Sequence, residues 1–377
     1  MIALPYITLV LVFFLRHYAS NSALVYQKSE KLFIYFILWI FFAFRGYIFT
    51  DCFNYAFFFD HVPNIWEIIN SDYLKYTWWE PGYVYYCGFL KLFTNDFLTF
   101  QIIDATIDLF LLHKALEYFD SERALNIVIF LAMSGMIAFI DLFRNIKAIL
   151  LFFNALRYIN EKKVIKYYFL CLIAISFHKS AVIYLICYPF FCINMSRKSF
   201  LYTGILSVLV AFISRPLFFI VNTLFGSILP PIIQKAITSY MLEQNNFSAA
   251  RMLTFGVLEK IITFSLVYIN FEKFTKEKIG IIAMKLFLIY FSLYFLFFGF
   301  NEVSNRVSLI FVFCYWIIIP LLIRKQTKKN QLIYSICILS YCLLKISLYH
   351  QPVQRYENWL FGASSYKERQ AYNETFK

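Results

Sequence analysis

The chain has 377 residues, 61% of them hydrophobic and only 15% charged, with a net charge of +13. An average soluble domain carries about 25% charged residues, so this composition cannot cover a large water-facing surface and excludes a soluble catalytic domain. The positive balance could suggest nucleic acid. However, the Lys and Arg sit in short loops between apolar runs, which reads as membrane topology.

Taken in chain order, the apolar runs cover 2–15, 32–49, 97–112, 124–140, 142–156 and 164–177, then 181–193, 200–213, 252–271, 279–300, 307–323 and 332–348. A spanning helix needs roughly 20 apolar residues, and the shorter runs would borrow Tyr and Trp at the interface. The first run lacks the basic start and small-residue cleavage site of a signal peptide, so it counts as a helix. The run 83–93 is too short to cross and reads as a re-entrant or surface helix. The expected fold is all-α: a polytopic transmembrane bundle of about 12 helices (11–13). It forms one membrane domain over 1–350, with two larger external loops at about 50–96 and 215–251. The polar, aromatic stretch 351–377 reads as a disordered or surface-lying tail.

Basic residues set the orientation. Arg157, Lys162, Lys163 and Lys166 crowd one loop, Lys273, Lys276 and Lys278 another, and Arg324, Lys325, Lys328 and Lys329 a third. By the positive-inside rule these face the cytoplasm. The opposite face then collects Arg45, Asp51, Glu80, Arg144, His178, Arg215, Arg251 and Arg306. Ionisable groups near a bilayer are costly and tend to line a cavity or pair with one another. Arg rather than Lys suits an anionic ligand, because its planar fork meets phosphate oxygens with two hydrogen bonds. Of the eight cysteines, none forms a CxxC pair or sits with a His, so neither a metal nor a redox cofactor is expected. Cys52 and Cys87 lie outside the apolar runs; two free thiols is the simpler reading, a bridge the alternative.

Four segments carry a resemblance. They are Phe44-Arg45-Gly46 with Thr50-Asp51 and Tyr55; Glu80-Pro81-Gly82-Tyr83; Phe143-Arg144-Asn145 with Ala148; and Phe177-His178-Lys179-Ser180-Ala181. In order and spacing the chain resembles the EpsG/Wzy-type polysaccharide polymerases. It departs from their pattern at Phe143, where Ile is usual, at Asn145, where Gln is usual, and at Thr50, where Gly is usual. The resemblance implies an enzyme of the bacterial cytoplasmic (inner) membrane. Such an enzyme joins undecaprenyl-diphosphate-linked oligosaccharide repeat units into O-antigen, capsule or exopolysaccharide on the outer face. The implied partners are lipid-linked donor and acceptor and the bilayer, with a chain-length regulator and a flippase as further candidates, and no nucleic acid. A flippase or other transporter of lipid-linked sugars, and an O-antigen ligase, are the alternatives.

That chemistry assigns Arg144, Arg306 and Arg45 to the diphosphate, and His178, Glu80 or Asp51 to the base. All but Arg306 have a plainer reading. Arg45 could be a snorkelling helix-end anchor, and Asp51 its partner or a cap. Glu80-Pro81-Gly82 could be no more than a helix start. Arg144 could be neutralised by Asp141 at i and i+3, and His178 could bond a neighbouring helix. Asp104 and Asp108, four apart within an apolar run, read as packing or as a polar relay. The aromatic stretch around Trp78 and Trp79 reads as an interfacial belt, with sugar stacking as the minor reading.

Overall fold

The structure is a computed structural model that describes residues 2–20, 27–119, 124–225 and 254–375. It is about 80% helical with no strand among the described residues, so the chain is an all-α membrane protein. Two compact units are present: Met1–Tyr188 together with Gln326–Lys377, and Pro189–Lys325.

The first unit contains α1 (Leu4–Ser20), α2 (Gln27–Ala43), α3 (Asp51–His61), α4 (Ile65–Ile69), α5 (Tyr73–Tyr76), α6 (Pro81–Leu90), α7 (Phe97–Tyr118), α8 (Ala124–Phe130), α9 (Met136–Asp141), α10 (Phe143–Ala155), α11 (Arg157–Asn160) and α12 (Val164–Phe177). At its centre is α10, which packs on α7 and α12 and buries Ile146, Ile149, Leu150, Phe152 and Phe153. The segment between α2 and α7, expected as a loop, is folded. Its helices bury Tyr55, Phe58, Phe59, Trp79, Tyr83 and Cys87 in one cluster with Phe97 and Phe100 of α7 and Phe143 of α10. Cys52 and Cys87 are buried free thiols. The short run read as re-entrant or surface helix forms the ten-residue α6.

In the second unit the largely buried helix Lys278–Leu296 packs against Arg197–Phe225 and Phe255–Ile269. The long helix runs through Arg215 and Pro216, so the stretch expected to be a loop from Arg215 begins as helix. Residues 226–253, with Arg251, lie outside the described residues.

By length and composition, four described helical stretches can cross a membrane: Ala124–Asp141, Arg197–Leu224, Lys278–Leu296 and Lys328–Ser347. A fifth is added if the pair Val303–Leu309 and Cys314–Arg324, bent by 66°, counts as one span. That is fewer than the expected twelve. Several expected runs form shorter helices, among them Val164–Phe177 and Leu4–His17. In the run 124–140 the helix breaks at Met133 and Ser134, where Ser134 takes φ 64°.

The C-terminal stretch is not a disordered tail. Its backbone bonds the turn that follows α2: Gly46 N donates to Glu357 O, Phe49 N to Val353 O and Trp359 N to Phe44 O. The fully buried Arg369 locks this arrangement, donating to the carbonyls of Tyr47 (3.1 Å), Pro352 (3.2 Å) and Arg355 (2.9 Å) and to Glu357 (3.2 Å). The held turn includes Phe49 at φ 66°, a conformation that costs a bulky residue about 1–3 kcal/mol. Polar composition misread this stretch because its polar groups satisfy backbone rather than water. Arg369→Ala removes the side-chain donor to the part-buried carbonyls of Tyr47 and Arg355, at about 1 kcal/mol each, and takes the buried cation from Glu357. Limited proteolysis is expected to cleave after residue 350 in this variant and not in wild type; equal resistance would contradict the assignment.

Candidate functional site

Glu80 stands at the N-cap position of α6 and Pro81 opens the helix, as a helix start requires. Yet the carboxylate does not cap. It is buried and accepts instead from Arg144 Nη1, in a salt bridge between α6 and the first turn of α10. The other carboxylate oxygen accepts from Lys179 N–H at 3.5 Å. Gly82 explains how α6 reaches that position, since a Cβ there would lie 2.7 Å from the Ser176 backbone. The bare glycine lets α6 abut the end of α12, just before His178 and Lys179.

Arg144 is held on three sides. Besides Glu80, its Nε donates to Tyr55 OH at 3.4 Å, and its guanidinium lies 4.4 Å from the Trp79 ring centre and 5.2 Å from that of Trp78. A cation on aromatic faces and beside a carboxylate is oriented without being fully enclosed; the Arg144 side chain remains 15% exposed. Asp141, the expected i,i+3 partner, is engaged elsewhere: it accepts from the backbone N–H of Asp51 at 2.8 Å, at the start of α3. The carboxylate of Asp51 itself accepts no hydrogen bond among the described residues, and its helix carries Tyr55 one turn on.

His178 follows the last residue of α12 in an extended conformation. Its Nδ1 accepts from Ser180 N–H at 3.3 Å and lies 2.7 Å from Ser180 Oγ, which places the neutral ring's proton on Nε2. Burial pushes its pKa down from 6.5 to about 4, with Glu80 opposing the shift and Arg144 and Lys179 adding to it. The ring is therefore neutral at pH 7. Because the folded pKa lies below the unfolded one, the unfolded chain takes up the proton first as pH falls. This group's share of stability is full above about pH 6.5 and is lost as pH falls toward 4. NMR titration of 13C-labelled histidine should give His178 a midpoint near 4; a midpoint near 6.5 would refute the buried placement.

Glu80, Arg144 and His178 are thus brought together, with Asp51 one helical turn from Tyr55. Arg45 is placed differently. It is 1% exposed and donates to the carbonyls of Phe42 and Ile140, with its guanidinium 4.8 Å from the Phe143 ring centre. It anchors a helix end, but inward, satisfying carbonyls at the end of α2 together with Gln101. Arg306 is exposed on the helix Asn301–Leu309 of the second unit. Arg215, in the same unit, donates to Gly299 O at 2.9 Å.

Sequence reasoning passed over Lys147, one turn beyond Arg144. Its ammonium meets Asp104 at 2.6 Å and Asp108 at 3.2 Å, and Tyr86 of α6 donates to Asp104 at 2.9 Å. The signal was present in the spacing of Asp104 and Asp108, which needed a buried cation. Among the described residues no group of three or more His, Cys, Asp or Glu is arranged to hold a metal.

The model of the EpsG family matches residues 31–360. The chain belongs to the EpsG family. This is the family of Wzy/EpsG-type polysaccharide polymerases, and the match takes in all four motif segments, from Arg45 to His178. No curated protein and no solved structure matches the chain. The EpsG-family chain is accordingly a multi-pass membrane protein of polysaccharide biosynthesis.

Proposed function

We propose that this EpsG-family protein is the repeat-unit polymerase itself. It would transfer a growing glycan from undecaprenyl diphosphate to a hydroxyl of the next lipid-linked unit, on the outer face of the cytoplasmic membrane. The observation that carries the reading is the Arg144–Glu80 pair beside His178, within a chain that matches the family over residues 31–360.

In this reading the C–O bond to the diphosphate breaks with its electrons going to phosphate oxygen. The acceptor oxygen forms the new glycosidic bond and gives up its proton to a base. Arg144 would stabilise the charge that develops on the leaving diphosphate. An arriving phosphate competes with Glu80 for the guanidinium, so Glu80 is freed to take the proton as the site fills. His178, neutral and beside it, is the second candidate base and Asp51 the third. Arg306 remains a proposed diphosphate ligand of the second unit, and Arg45 supports the turn before Asp51. The bundle would hold about twelve spans, with α7 among them. The 22 residues of α7 extend about 33 Å, enough to cross, and its Asp104 and Asp108 are paired with Lys147 rather than exposed.

The test is the envelope glycan of a strain lacking the protein. Loss of the polymer ladder with single repeat units still displayed outside is the expected result. Loss of the single units as well would favour a transporter.

A further inference from the structure

Beside Arg144, on α3 and the chain between α4 and α6, a cavity of about 420 Å³ lies against Trp78 and Trp79. We propose that it is a saccharide subsite holding a sugar ring of the lipid-linked unit next to the diphosphate. This inference rests on the polymerase reading and specifies where the neutral part of that substrate sits.

Three features point to a sugar. First, the rings of Phe58, Trp79 and Trp78 form a continuous stack, with centroids 4.3 Å and 4.4 Å apart and planes within 29° of parallel. Trp78 ends the stack with two-thirds of its surface open, and Tyr76, nearby in the lining, is 86% exposed. Flat aromatic faces of this kind accept the C–H face of a pyranose. Second, polar groups border these rings. The Asn54 side chain has no hydrogen bond among the described residues. His61 donates Nδ1–H to Phe57 O at 2.8 Å, which leaves Nε2 as an acceptor toward a hydroxyl. Third, among the described residues no Lys, Arg, Asp or Glu lines the cavity, so it suits a neutral polyol and not a phosphate. A prenyl chain would leave the polar groups without partners. The volume lies within the roughly 300–1,000 Å³ of small-molecule sites. Trp79 links the two halves, since one ring belongs to the stack and also carries the guanidinium of Arg144.

The experiment uses the full-length protein in nanodiscs and two probes. One is the oligosaccharide released by mild acid from the lipid-linked units that accumulate in the deletion strain; the other is inorganic pyrophosphate. Wild type should bind both. Trp78→Ala and Tyr76→Ala should weaken the oligosaccharide by about tenfold or more, and Tyr76→Ala should leave pyrophosphate binding unchanged. Equal oligosaccharide binding by wild type and both variants would overturn the subsite and leave these rings as an interfacial aromatic belt. Absence of oligosaccharide binding to wild type, with the polymer ladder still dependent on the protein, would overturn the subsite alone. A full ladder in the deletion strain, where no units then accumulate to serve as probe, would overturn the polymerase reading and the subsite with it.

Discussion

Replacing Arg144 with alanine should lower polymerisation by about 10²–10³-fold, the usual loss when one electrostatic contact to developing charge is removed. The protein should still reach the membrane, because Arg144 caps the edge of the aromatic cluster and does not fill its centre. Part of any loss could come from Glu80, which would be left buried without its partner. A double variant separates the two effects. Arg144→Met with Glu80→Leu replaces the pair by apolar side chains and should restore thermal stability while leaving polymerisation absent. If that variant restores polymer as well, the salt bridge is structural and the site assignment fails. Arg144→Lys is a sharper form of the same test. A lysine keeps the charge but not the fork that meets Glu80 and Tyr55 together, so it should recover little activity.

The second large effect is expected at Lys147. Its ammonium is 2% exposed between two carboxylates that are each 3% exposed, and one oxygen of Asp108 accepts no hydrogen bond among the described residues. Lys147→Ala leaves two buried acids facing each other, and breaking a buried ion pair from one side costs about 3–5 kcal/mol. The expected result is a protein that loses its monodisperse peak in detergent well below the wild-type transition temperature. Lys147→Met combined with Asp104→Asn and Asp108→Asn removes the charges together and should recover most of that loss. Wild-type thermal behaviour in Lys147→Ala would show that the three groups are not coupled. Activity should fall with stability in the single variant, because Tyr86 ties the same network to the helix that carries Glu80.

Much of the helical plan was legible in the sequence, because apolar runs are local. The runs 164–177 and 332–348 became helices with nearly those bounds, and the run 97–112 a helix that continues to Tyr118. Local reasoning also found Glu80, Arg144 and His178, three separated motif residues that the fold brings into one cluster. It could not supply contacts whose partner lies far along the chain. Arg45 was open to two readings, ligand or helix-end anchor, and its bond to Ile140 was not legible because it depends on how α9 meets the end of α2. The tail read as disordered or surface-lying because Arg369 makes sense only against the carbonyls around it and the turn at Tyr47. Hydropathy alone leaves α7 out of the candidate spans, since averaging counts Asp104 and Asp108 as unpaired charges although Lys147 answers both. Trp78 and Trp79 read as an interfacial belt because nothing local says that an arginine 65 residues away rests on Trp79.

The most direct measurement is reconstitution. Purified protein in proteoliposomes would be supplied with lipid-linked repeat units isolated from the deletion strain, and the products separated by size. A repeat-unit polymerase gives a ladder of lengthening glycans with release of undecaprenyl diphosphate, present with wild type and absent with Arg144→Ala. Units that cross the bilayer without any increase in length, or a ladder undiminished in Arg144→Ala, would contradict the proposal.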